Sequence, residues 1–319
     1  MCMIRSIGLF CVLCLLSILT SCHTTSPADQ DFPPYNPNVE AFTTGKISRY
    51  SPVYLIFNQE IPADRLGKLV RLKPDVPGRW AFENNRTLVF KPEKGFERNT
   101  SYQVKADLSE WFEAQGKDKW FAFGFTTLPL ALRGNLESMD INKKNENGYD
   151  LTAVLFTPDK ESPETVESLV DFSEKVDATW QHSPDGKKHE VTLLNVSAGM
   201  EGERTLKLSV SSNKLGVEKA DVVTVSVPDQ NDFSVYDVTY VSEPERYVEV
   251  AFTKLLDVAQ DMRGLAFIAE NTSETVTVDG NKLRLYPDAD LWQKGVMNIH
   301  LNQGIRSKSG LNLKEAVVR

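Results

Sequence analysis

Apolar residues at every second position leave this chain few folds to choose from. From residue 40 onward they recur in Val53-Leu55-Phe57, Tyr102-Val104-Ala106, Phe121-Phe123-Phe125, Leu151-Ala153-Leu155, Leu206-Leu208-Val210 and Val223-Val225-Val227. Val248-Val250-Phe252, Leu283-Leu285 and Met297-Ile299-Leu301 continue the series. Side chains of a strand alternate between two faces, so each segment reads as a strand with one face buried. No long stretch shows the 3.6-residue period of an amphipathic helix. The pattern predicts an all-β chain.

The strands repeat with a spacing near 100 residues. Phe57, Phe156 and Phe252 each close an alternating strand, and an apolar pair spaced i,i+3 follows: Leu66/Leu69, Val166/Leu169 and Met262/Leu265. That spacing suits a single helical turn tucking two side chains under a sheet edge. Pro62 and Pro163 stand just ahead of it, where a fixed φ helps to start a turn. Each copy then carries a hairpin: Trp80–Phe90, Trp180–Leu193 and Thr277–Leu285. Asn84-Asn85, Asp185-Gly186 and Asp279-Gly280 supply the residues that tolerate positive φ in tight turns. The shared order predicts three consecutive antiparallel β-sandwich domains over 40–128, 129–229 and 230–319. Gly310 corresponds to Gly116 of the first copy, so the third copy is expected to be cut off in its last strand at Arg319, with the natural protein continuing beyond it.

Ahead of the repeats, Arg5 and the apolar run Ile7–Leu19 make a secretory signal too short to span a bilayer. Leu19-Thr20-Ser21-Cys22 resembles a bacterial lipobox, which implies cleavage before Cys22 and lipid on that cysteine. Pro27, Pro33, Pro34 and Pro37 make residues 22–39 a semi-extended tether. No acidic cluster follows Cys22, and the resemblance to known sorting signals then implies an anchor in the outer membrane facing the periplasm. Cleavage removes Cys2, Cys11, Cys14 and Arg5, leaving 319 − 21 = 298 residues and taking the formal charge from −8 to −9. Such acidity argues against nucleic acid and against electrostatic attraction to anionic lipid heads. With Cys22 lipidated, no disulfide or cysteine chemistry remains in the body.

The other residues offer little chemistry. His182 and His189 flank the Pro184-Asp185-Gly186 turn and could face each other, but no cysteine completes a metal site, and two exposed strand positions are the simpler reading. His300 reads as a rim residue. Asp140–Gly148 fails the EF-hand pattern at Lys144 and Asn145 and reads as a polar hairpin loop. Asp288 and Asp290 read as solvated acids. Trp80, Trp111, Trp120, Trp180 and Trp292 read as core residues rather than a glycan platform. Phosphate-loop, nucleophile-elbow and zincin motifs are missing. The expectation is a non-enzymatic chain with no metal and no cofactor.

A lipobox, a proline-rich tether and consecutive sandwiches resemble the beginning of a bacterial alpha-2-macroglobulin family protein. The resemblance covers residues 40–319 and implies an Ig-like module followed by macroglobulin-like domains. The family traps peptidases, in many members through a Cys-x-Glu-Gln thioester; no cysteine follows Cys22, so this portion carries no thioester. The resemblance therefore implies a membrane-anchored scaffold, with peptidases met by regions beyond residue 319 and Cys22 the only site residue carried over. The alternative expectation is a lipid-anchored Ig-like binding module for a glycan or an outer-membrane partner.

Overall fold

The computed structural model describes residues 35–61, 70–109, 111–212, 215–272 and 275–319. Cys22, the tether up to residue 34, Pro62 and the Leu66/Leu69 pair lie outside the described residues. The chain divides after Thr127 into two compact units, the second being Leu128–Arg319.

The first unit holds β1 (Val39–Phe42), β2 (Gly45–Ile47), β3 (Val53–Phe57), β4 (Val70–Lys73), β5 (Gly78–Asn84), β6 (Thr87–Pro92), β7 (Ser101–Asp107) and β8 (Trp120–Thr127). One sheet has the order β1-β3-β6-β5, the other β2-β8-β7-β4. Val53, Leu55 and Phe57 point inward from β3, and Phe121, Phe123 and Phe125 from β8, as their alternation predicts. Gly45 adopts a φ of 75°, a left-handed conformation open to glycine, where the chain passes from one sheet to the other. One pairing departs from the antiparallel expectation. After that crossing β2 runs parallel to β8.

The second unit holds two further sandwiches. The first of these has β9 (Arg133–Ile141), β10 (Gly148–Phe156), β11 (Val170–Phe172), β12 (Asp177–His182), β13 (Lys188–Ser197), β14 (Arg204–Ser212) and β15 (Val217–Val227). The last has β16 (Val235–Val241), β17 (Tyr247–Phe252), β18 (Ala266–Ile268), β19 (Val276–Asp279), β20 (Lys282–Leu285), β21 (Ile299–Leu301) and β22 (Val317–Val318). Their sheet orders are β12-β13-β10-β9 with β11-β14-β15, and β16-β17-β20-β19 with β18-β21-β22.

Lettered A to G along the chain, the second and third copies read A-B-E-D against C-F-G, the seven-strand arrangement of a constant-type immunoglobulin sandwich; the first keeps this order and adds β2 as an eighth strand beside G. The fold is all-β and Ig-like. Each sandwich encloses its own apolar core. In the first, the Glu97 amide donates to the Tyr102 hydroxyl at 3.0 Å, so a tyrosine at the start of strand F ties down the loop before it. That tie is the tyrosine corner of such sandwiches.

The i,i+3 pairs behave as their spacing suggests. Val166 and Leu169 are buried around a short helix, α1 (Pro163–Glu167), with Pro163 in its first turn and Ser162 capping it. The Leu265 amide donates to the Met262 carbonyl in a single turn. A second short helix, α2 (Ala289–Lys294), buries Leu291 and had no signal in the periodicity.

Two expectations need correction. Asn84 and Asn85 do not take positive φ; the Asn84 side chain instead accepts the Arg86 amide, holding the turn from the side. Phe156 is not the counterpart of Phe57 and Phe252. The Phe57 amide bonds to the Arg86 carbonyl and the Phe252 amide to the Asn281 carbonyl; in the second sandwich Thr157 makes this bond, to Lys187. Thr157 is buried and Phe156 is exposed. The register is displaced by one residue, which exchanges the faces.

Candidate functional site: a buried histidine chain and an interdomain joint

Placing Thr157 where its neighbours have phenylalanine brings a polar group to the hairpin end of the second core. Its hydroxyl bonds to the Asp159 carbonyl at 2.8 Å and lies 3.4 Å from His189 Nε2. His189 Nδ1 is 2.9 Å from His182 Nδ1, and His182 Nε2 is 3.1 Å from a Glu167 oxygen on α1. The Trp180 indole stacks on the His182 ring, 5.8 Å between centroids and 4° from parallel.

A carboxylate only accepts, so His182 Nε2 carries a hydrogen and donates it to Glu167. Burial, and secondly the neighbouring His182, push the His189 pKa below its usual value, while Glu161 and Asp185 pull the other way.

The expected pair of exposed histidines is therefore corrected. His189 is fully buried, because its strand position faces the core while the turn folds over it. Thr157 and His189 are both buried, and neither lines the cleft described below. No group of three or more His, Cys, Asp or Glu side chains disposed around a metal occurs among the described residues.

The second feature joins the two sandwiches of the Leu128–Arg319 unit. The Tyr149 hydroxyl on β10 donates to the Thr253 carbonyl just past β17, at 2.9 Å, and the Tyr236 hydroxyl on β16 donates to the Met139 carbonyl on β9. Lys254, 5% exposed, donates to Asn147 Oδ1 at 3.2 Å. Lys308 pairs with Glu146, and Lys282 sits between Glu249 at 3.1 Å and Asp140 at 3.8 Å. A polar cleft of about 330 Å³ runs along this seam, lined by Glu146, Asn147, Gln230, Asn231, Lys254 and Lys308 among others.

Burial raises the Tyr149 pKa to about 12, with Asp232 and Asp229 adding to it; burial likewise raises Tyr236. Burial lowers Lys254, and Asp229, Asp232 and Glu146 offset part of that. Both hydroxyls thus stay protonated donors at neutral pH. The loop 142–147, read as a polar hairpin loop, is the element that reaches this seam through Glu146 and Asn147. Periodicity could not show it, because Tyr149, Tyr236 and Lys254 meet partners more than 90 residues away.

No family model matches the chain, and no curated protein matches it. Among solved structures it is similar to L,D-transpeptidase 3 from Mycobacterium tuberculosis, 13% identical over 69% of this chain and 81% of that one, with a TM-score of 0.23. Cadherin domains 1–4 of protocadherin gamma B7 match at 12% identity, covering 86% and 73%, with a TM-score of 0.20. An endo-fucoidan hydrolase of glycoside hydrolase family 107 matches at 10%, covering 89% and 43%, also at 0.20. Superpositions this loose carry nothing about function.

The tryptophans divide. Trp111 is a core residue, 5.3 Å from the Phe57 ring, whereas Trp80, Trp180 and Trp292 are half-buried and Trp120 is 46% exposed. The core reading is corrected for Trp120, which begins β8 with its side chain on the solvent face. His300 is half-buried and stacks on Phe267 at 4.9 Å. Asp288 holds the Thr272 amide and hydroxyl ahead of α2, and Asp290 is exposed.

Proposed function

We propose that this chain is a non-enzymatic scaffold of the bacterial cell envelope, held to the membrane by lipid on Cys22 and presenting its sandwiches as a spacer. The joint between the second and third sandwiches carries the reading. A buried tyrosine, a half-buried one and a buried lysine lock neighbouring domains together, which serves a protein that transmits position rather than one that turns over substrate. The resemblance to alpha-2-macroglobulin family proteins makes the finer proposal. In it the chain is the anchoring portion of a peptidase trap on the periplasmic side of the outer membrane, and peptidases are met elsewhere in the protein. No cofactor or metal has a part in either.

Metabolic labelling with a radioactive fatty acid in a Gram-negative host tests the anchor. Label should enter the wild-type chain and disappear with Cys22→Ser, which should also leave the membrane fraction. An unlabelled wild type, or equal membrane retention of the variant, would remove the basis of the proposal.

A further inference from the structure

The outer face of strands C, F and G occurs three times, and its chemistry differs in each copy. In the second sandwich Asp171, Lys207 and Asp221 lie there, and Lys207 pairs with Asp221 at 2.7 Å. In the third, Phe267, His300 and Val318 make an uncharged face. In the first sandwich, Arg71 and Lys73 of β4, Lys105 of β7 and Lys46 of β2 are all exposed on this face. Among the described residues none of these four cations has an acidic partner. The outward acid of β7, Asp107, is held by Ser109 and by Lys119 at 3.7 Å.

Arg71 and Lys105 are direct cross-strand partners. Like charges in that relation destabilise a sheet. An acidic protein of formal charge −8 thus concentrates unpaired positive charge on one face, against the stability of that sheet.

The relief of the face suggests what it holds. β8 presents Ala122, Gly124 and Thr126 outward, beside the longer Lys105 and Gln103 of β7 and with Lys46 next to Thr126 on β2. A low shelf about 13 Å long therefore runs between cationic side chains. Trp120 closes one end, with the Lys105 and Lys119 ammonium groups 4.5 and 5.4 Å from its ring. The indole keeps those cations in place.

We propose that this face binds a linear acidic polysaccharide, its carboxylate or sulfate groups meeting Arg71, Lys73, Lys105 and Lys46. A recessed shelf suits a chain better than a flat membrane. Trp120 is already stacked by ammonium groups, and single-stranded nucleic acid wants a free aromatic platform. The inference is independent of the lipid anchor.

Titration of the full chain with heparin and with polygalacturonate tests it, using dextran, oligo-dT and phosphatidylglycerol vesicles as comparisons. Binding to the two acidic polysaccharides is expected at ~50 mM salt and should weaken steeply as salt rises. Lys105→Ala should weaken it about fivefold. Arg71→Glu should weaken it more while holding or raising the Tm, since it turns a cross-strand repulsion into an attraction. Lys207→Ala, on the equivalent face of the second sandwich, should leave binding unchanged. No binding to either polysaccharide, equal losses from Lys207→Ala and Lys105→Ala, or tighter binding to oligo-dT or vesicles would overturn the proposal.

Discussion

The side chains that distinguish these sandwiches from one another are polar groups placed where apolar ones would pack. Tyr149 is fully buried, yet it keeps its hydroxyl on the Thr253 carbonyl. Removing that hydroxyl leaves a buried carbonyl with less company, which costs about 1–3 kcal/mol. Tyr149→Phe should therefore lower the stability of the Leu128–Arg319 unit by that order in urea denaturation at pH 7. The same group gives an alkaline signature. Its proton leaves at about pH 12 in the folded chain and near 10 in the unfolded one, so above pH 10 the unfolded state loses protons first and stability falls. Two units correspond to about 3 kcal/mol, and Tyr149→Phe should remove that part of the alkaline loss. A variant as stable as wild type at pH 7, with the same alkaline slope, would contradict this role. Thr157 teaches the converse lesson about legibility. Phe156 matches Phe57 and Phe252 by residue type, but the alternation Leu151-Ala153-Leu155 carries on to Thr157, and the bond to Lys187 confirms that Thr157 holds the core position.

At the level of elements, most strands were legible because burial on one face imposes period two. β3, β7 and β8 follow it residue by residue. The hairpin turns were legible where glycine is needed: Gly186 has φ of 66° and Gly280 of 62°. An added Cβ at Gly186 would lie 2.8 Å from the Glu161 carbonyl oxygen. The histidine chain was half legible. Flanking a two-strand turn brings His182 opposite His189, but which of them is buried depends on α1 and the loop 157–162 folding over that end. Its consequence is a pH dependence. The buried His189 has a folded pKa below the unfolded value near 6.5, so the unfolded chain takes up its proton first as pH falls. Stability is full above about pH 6.5 and declines as pH drops from there toward the folded value. Denaturation at pH 7.5 and 5.5 should show the wild type weaker at 5.5, and His189→Gln should lose most of that difference. A wild type equally stable at both, or stronger at 5.5, would refute the assignment.

At the scale of the molecule, repetition was readable and assembly was not. The recurring order of strand, apolar pair and hairpin reports one Ig-like arrangement used again and again, since each copy must satisfy the same packing. The joint between the second and third sandwiches depends on residues separated by about a hundred positions, each unremarkable alone: a tyrosine opening a strand, a lysine just past the end of one. The basic face of the first sandwich was hidden for a similar reason. Arg71, Lys105 and Lys46 are distant in sequence, and the overall acidity of the chain masks them. If the chain serves as a scaffold, the joint must hold its two sandwiches at one angle. A pulsed electron spin resonance distance between labels at Thr205→Cys on β14 and Lys294→Cys on α2, with the native cysteines replaced by serine, measures this directly. We expect a single narrow distribution that broadens when Tyr149→Phe and Lys254→Ala are combined; a broad distribution in the otherwise unaltered chain would contradict the account.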